Sequence, residues 1–361
     1  MASLEQNRRK VREYLRQAGV DAVVLSKRSN FSWYTRGAVN HVVLSSEEGA
    51  ATLVLTAEKD YCVCTNIEEP RLVDEELAGL DFEVVSYPWY ESLKDVVDRL
   101  VEGGRYQSDL ECGEDGLGPT FCRLRFCLDE EEIADIRDLG QISTEVLEQV
   151  CRQTEPGQSE DYVAAEIGRG LLLKGMRPAV LLVAADQRIL RYRHPIPTDN
   201  RIEKYLMAVI MAERRGLMVA ATRLVHFGPL PESIALKMDA VARIDALMIQ
   251  KSRPGNRVAD ILQAAIGEYE KQGYADEWKL HHQGGPCGYW TREYLATKES
   301  DEMVLINQPF AWNPSITGVK SEDTCLVLEN STDTLTRGSD WPTIEVEVDG
   351  ETLHRPAILV L

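Results

Sequence analysis

Apolar positions in the first third of the chain follow two periods in turn. Leu4, Val11 and Leu15 fall on one side of a helix that carries through Arg8–Ala18, with charges on its other side. Gly19 turns the chain, and Asp21–Leu25 (DAVVL) reads as a short buried strand. Asn30–Gly37 (NFSWYTRG) reads as an aromatic-rich loop. His41–Ser45 and Ala51–Thr56 predict two strands around the turn SSEEG, and Phe82–Tyr87 predicts another. Helix alternating with strand predicts an α/β sheet domain. Asp129–Arg152 then predicts a long helix, with Ile133, Ile136, Leu139, Ile142, Val146 and Val150 on one face. Asp129 is its expected cap, and the acids that follow suit its N-terminus. The domain boundary is placed just before this helix, giving 1–128 and 129–361.

The second part opens with a turn at Pro156-Gly157 and a helix capped by Ser159. Strands are expected at Ala179–Ala184, Tyr205–Glu213 and Gly216–Leu224, and helices at Pro231–Gln250 and Val258–Gln272. The remainder alternates Gly/Pro turns with short strands. A chain of 361 residues fits two domains on length alone.

Charge narrows the partners. Forty basic against 59 acidic residues leave a formal charge of −19, which repels phosphate backbones and anionic lipid. A small-molecule substrate is expected, with no nucleic acid and no membrane. The longest apolar run, Tyr205–Ala212 (YLMAVIMA), is far short of the ~20 residues of a membrane span and predicts a buried strand. The N-terminal segment has no apolar signal core, so a cytoplasmic protein is expected. Eight Cys without a repeating spacing read as buried thiols of a reducing compartment. Cys62-x-Cys64 alternates like a strand, and no second Cys pair completes a zinc site.

The order of segments resembles the creatinase / aminopeptidase P / prolidase family, with its pita-bread fold. GVDAVVL and NFSWYTRG are similar to the opening of the creatinase-type N-terminal domain. DEEEIADIRDLGQISTEVLEQV and TEPGQSEDYVAAEI are similar to the linker and first catalytic helices. HPIPTDNRI, AATR, HHQGGPCG, Gln308-Pro309 and KSEDTCLVLE follow in the family's order. The resemblance implies a small creatinase-like α/β N-terminal domain, a pita-bread α+β catalytic domain and a homodimer. Metal-dependent members hold two cations with two Asp, one His and two Glu. The matching positions here are Val209, Ala220, Gly285, Gln308 and Glu322, so four of the five have lost their ligand. Paired divalent cations need several anionic oxygens. No catalytic metal and no cofactor are therefore expected.

Creatinase has the same fold and hydrolyses a small guanidino compound without metal, through a His. His281, His282 and His194 are candidate proton shuttles. His281 matches a position where relatives carry a non-ligand His, and His194 lies near the family's shuttling His. Glu322 and Glu293 are candidates to set their charge or act as acid or base. Arg223 and Lys320 are candidate anchors for a substrate carboxylate, although a buried ion pair would explain Arg223 as well. Gln283, Gln308, Trp312 and Asn313 are candidate wall residues. Tyr289-Trp290 reads as core more than as pocket wall. Cys287 reads as a buried apolar residue before it reads as a nucleophile. Phe31, Trp33, Tyr34 and Arg36 are candidate contacts from the N-terminal domain, while His41, His226 and His354 read as structural. The function expected is metal-independent hydrolysis (or lysis) of a C–N bond in a small polar metabolite. The alternatives are an inactive relative that binds a peptide or protein, and an Xaa-Pro aminopeptidase-like peptidase.

Overall fold

The computed structural model describes residues 2–361, which form two compact units, the first ending at Arg125 and the second spanning Phe126–Leu361. In the first, the helix Ala2–Ala18 buries Leu4, Val11 and Leu15. Strands β1 (Ala22–Lys27), β2 (Glu48–Thr56), β3 (Asp60–Thr65), β4 (Glu83–Tyr87) and β5 (Tyr106–Ser108) form one sheet in the order β4-β3-β2-β1-β5. Cys62 and Cys64 are buried in β3.

Two sequence expectations fail in this unit. NFSWYTRG is largely helical, over Arg28–Thr35. Nearly every residue of that helix is buried, so it lacks the polar face that betrays helical period. Its Phe31, Trp33 and Tyr34 are core residues. Trp33 packs edge-on to Phe121, and the Tyr34 hydroxyl donates to Asp60 at 2.8 Å. They are not exposed substrate contacts. His41–Ser45 forms no strand, and Val42, Val43 and Leu44 lie more than half exposed. A short apolar run without a neighbouring strand has nothing to complete its hydrogen bonds. The helix Leu93–Leu100, capped by Ser92, was not anticipated.

The second unit starts with the helix Glu130–Gln153, whose Asp129 and Glu132 form a reciprocal capping box. The helix Glu160–Leu173 follows, capped by Ser159. The main sheet contains β6 (Arg177–Ala185), β7 (Tyr205–Arg214), β8 (Leu217–His226), β9 (Gly284–Pro286) and β10 (Pro309–Trp312). A small hairpin, β11 (Ser315–Ile316) and β12 (Val319–Lys320), precedes β13 (Asp323–Val327) and β14 (Thr332–Thr334). A second hairpin, β15 (Thr343–Val348) and β16 (Glu351–Pro356), precedes β17 (Leu359–Val360). The central order is β6-β7-β8-β13-β10-β9, with β14 added to β13 and β17 to β8. YLMAVIMA is the buried heart of β7, as its composition predicted. Helices Glu232–Lys251 and Val258–Lys271 bury Val241, Ile244 and Ile261 in a core shared with Met207, Val209 and Trp312.

A buried ion network ties these layers. Arg223 pairs with Glu148 at 2.8 Å and Asp323 at 3.1 Å, and Arg355 pairs with Asp323 at 2.7 Å and Asp245 at 2.9 Å. Both guanidiniums are 1% exposed. Arg223 is thus the structural ion pair and not a substrate anchor.

Candidate functional site

Strands β6, β7 and β8 present Val180, Leu182, Val209, Met211 and Ala220 as one apolar wall of a cavity of about 230 Å³. The register places Val209 opposite Thr222 and Met211 opposite Ala220. The facing wall is polar: His194, His282, Arg292, Asn313, Lys320 and Glu322. These come from five separate stretches, with Lys320 and Glu322 alone sharing one, at the end of β12 and just before β13.

Glu322 is the centre of that wall. Its carboxylate receives Lys320 Nζ at 2.7 Å, Arg292 Nη2 at 3.0 Å and the Thr222 hydroxyl at 2.7 Å. Burial works against its ionisation, but Lys320, Arg292 and these hydrogen bonds prevail and hold the carboxyl at about 2. Burial also pulls the Lys320 ammonium below its ordinary range, against the attraction of Glu322. Two cations and one carboxylate leave a local positive charge in a chain that is acidic as a whole.

The three imidazoles sit beside this clamp. His281 Nε2 and His194 Nε2 are 3.0 Å apart, in hydrogen-bonding distance. The His281 and His282 rings stack with centroids 4.3 Å apart and planes 26° apart. Burial, then Lys320 and the neighbouring imidazoles, depress His281 to about 2. Burial, then Arg292, depress His282 to about 4. His194 is more exposed and is lowered too, by burial and then Lys320. All three are therefore neutral at pH 7.

Other candidates are placed elsewhere. Gln283 shapes the turn: it donates to the Trp278 and His281 carbonyls and accepts from the Tyr269 hydroxyl. Trp312 is core, donating from Nε1 to Ser252 at 2.9 Å and stacking on Phe310. Gln308 is buried and accepts from the Leu305 amide, outside the cavity lining. Glu293 does not line the cavity, and Arg292 turns to Glu322 instead of to it. Cys287 packs with Met211, Met218 and Ala311, and burial pushes its thiol up to about 12, which removes it as a nucleophile. Arg292 is the residue that sequence reading missed. The clue was charge balance: one buried carboxylate retained among lost ligands calls for cations around it.

The donor set does not fit a pair of divalent cations. Val209 and Ala220 carry no ligand atom, and Glu322 is held by Lys320 and Arg292. A Cβ at Gly285 would lie 2.4 Å from the Tyr294 carbonyl oxygen, so no side chain fits there as the backbone stands. Gly285→Ala is accordingly expected to lower unfolding free energy by about 1–3 kcal/mol, measured by urea denaturation. Wild-type stability in that variant would show that the backbone yields freely.

Comparison with known proteins agrees with this architecture. Residues 134–329, more than half of the chain, match metallopeptidase family M24, and residues 8–108 match the creatinase/prolidase N-terminal domain. The chain belongs to the M24 family, in its creatinase/aminopeptidase P/prolidase group. It is 23% identical over 350 residues to the Xaa-Pro dipeptidase of Pyrococcus horikoshii, covering 91% of this chain and 96% of that one. It is 25% identical over 223 residues to the Xaa-Pro dipeptidase of Pyrococcus furiosus, covering 59% of this chain and 64% of that one. The crystal structure of a recombinant prolidase from Thermococcus sibiricus superposes with a TM-score of 0.80 at 18% identity, over 100% of both chains. Among the described residues, no helix is long and apolar enough to cross a membrane.

Proposed function

We propose that this chain is a creatinase-like hydrolase that cleaves a C–N bond in a small carboxylate-bearing substrate without the paired cations of a metallopeptidase. The observation that carries this is the Lys320–Glu322–Arg292 clamp, in which two cations hold the one carboxylate of the cavity, with three imidazoles clustered nearby. The clamp's surplus positive charge favours a carboxylate, and the β6–β8 wall accepts an apolar group beside it. The Asn313 amide lines the same cavity and offers hydrogen bonds to the scissile group.

His194 is the proton acceptor in this reading. It is the most accessible of the three rings, and its pKa is lowered by burial and then by Lys320. A general base works best with a pKa near the working pH. Part of the depression comes from Lys320 and Arg292. A substrate carboxylate beside those cations offsets them and makes His194 more basic as the complex forms. His281, 3.0 Å away, fixes its orientation and takes up the second place in the relay.

An Xaa-Pro dipeptidase activity, which the names of the Pyrococcus relatives suggest, asks more of this donor set. An ordinary peptide bond would miss the Lewis acid that a metal supplies. The test is turnover by exhaustively chelated protein against guanidino acids, N-acyl amino acids and Xaa-Pro dipeptides. Cleavage of one of the first two classes, unchanged by chelation, is expected. Cleavage of Xaa-Pro dipeptides that chelation abolishes and Mn²⁺ or Co²⁺ restores would replace this reading with the peptidase one. A second copy of the chain is the partner proposed, and a monomer mass in light scattering would remove it.

A further inference from the structure

The three imidazoles have a second capability that the relay does not use. One ring nitrogen from each of His194, His281 and His282 lies within 4.8 Å of the others. Tetrahedral zinc, with Zn–N bonds of about 2.0–2.1 Å, sets its nitrogen ligands roughly 3.3 Å apart. The 3.0 Å between His194 Nε2 and His281 Nε2 is already near that spacing. The His282 nitrogen lies within 4.8 Å of the other two, so the three rings would have to close in around the ion, and His194 is exposed. The Nδ1 atoms of His281 and His282 are both buried and have no hydrogen-bond partner among the described residues. A neutral imidazole carries one lone pair, and a shared cation would take one from each ring.

We infer that His194, His281 and His282 form a binding site for a single zinc-class divalent ion, distinct in ligands and in nuclearity from a carboxylate-bridged pair. The donors are all nitrogen, which selects zinc, copper, nickel or cobalt over magnesium, calcium or manganese. Three protein ligands leave a fourth position for water or an anion. Lys320 and Arg292 in the same cavity oppose a dication, so the ion would enter with an anion in that fourth position, which those two cations would hold. Binding uses one lone pair on each ring and displaces water from the ion, with no change of oxidation state. An imidazole whose lone pair is on the ion cannot accept a proton, so occupancy shuts the relay. In this respect the inference rests on the proposed function, while the ion site itself rests on geometry alone.

The experiment is titration of chelator-treated full-length protein with Zn²⁺ by calorimetry, with Co²⁺ absorption as a second readout. One Zn²⁺ per chain and intense visible bands of tetrahedral Co²⁺ are expected. His281→Ala and His282→Ala should each weaken Zn²⁺ binding by at least about 10–100-fold, the cost known for losing even supporting groups of a metal site. His194→Ala, at an exposed position, serves where a buried variant fails to fold. No saturable site, or one that survives all three substitutions, would overturn the inference. The two ideas fail separately. Flat Zn²⁺ titration with turnover in chelated protein leaves the relay and removes the ion site. A clean His-dependent site, with turnover only when Zn²⁺ is bound, keeps the ion site and removes metal-free catalysis.

Discussion

Glu322→Gln is expected to cost about 3–5 kcal/mol of folding free energy, the range for removing one partner of a buried ion pair. The charge it leaves behind explains the size. Lys320 Nζ and Arg292 Nη2 both reach this carboxylate, and Lys320 is 5% exposed. Without it, two cations face each other in a low-dielectric wall. Lys320→Met in the same chain removes one of them, so the double variant should be more stable than Glu322→Gln alone. Urea denaturation at pH 7 checks both. Equal stability of the single variant and wild type would mean that the clamp is solvated and has no such energetic role. The pH dependence has a definite sign. The Glu322 carboxyl is held at about 2 in the fold against an ordinary value of 4.5. Its contribution is complete above the unfolded value and is lost as pH falls from about 4.5 towards 2. Wild type should therefore lose stability across that acid window, and Glu322→Gln should lose less.

His194→Ala is expected to lower kcat by about 10²–10⁴-fold in metal-free protein, the usual contribution of a positioned general base. The side chain is exposed, so the melting temperature should stay close to wild type. That combination separates loss of the base from loss of the fold. The pH profile gives a second readout. A base must be neutral to act, and burial with Lys320 lowers the His194 pKa. The acid limb of kcat/KM should then fall below the ordinary imidazole value of about 6.5. Lys320→Met removes a cation that lowers this pKa, so its acid limb should move to higher pH. A profile without an acid limb, or undiminished kcat in His194→Ala, would assign the proton to another group.

Much of the fold was legible in the chain. The helix Glu130–Gln153 announced itself by its apolar face and by Asp129 and Glu132 as caps. The strand β7 announced itself by YLMAVIMA. The failures share a cause. The Arg28–Thr35 helix is buried on nearly all sides, which erases the period that identifies a helix. Val42–Leu44 has strand composition, but a strand exists only where another strand pairs with it.

The candidate site divides in the same way. The resemblance sets Val209, Ala220, Gly285 and Gln308 at positions where metal-dependent relatives carry ligands, and residue type alone says that these four supply no carboxylate or imidazole. The sequence also supplied all three imidazoles. Which cations surround Glu322 was decided in three dimensions. Arg223 is nearer in sequence to Thr222, which donates to Glu322, yet its guanidinium turns to Glu148 and Asp323, while Arg292 reaches Glu322 from a different stretch. Neighbouring strand residues face opposite sides of a sheet, and ion pairs form between whatever charges the folded backbone brings within a few ångströms. The meeting of His194 with His281, 87 residues apart, is a tertiary event of the same kind. Residue type sets what chemistry is available, and only the packing of distant segments sets which groups share a cavity.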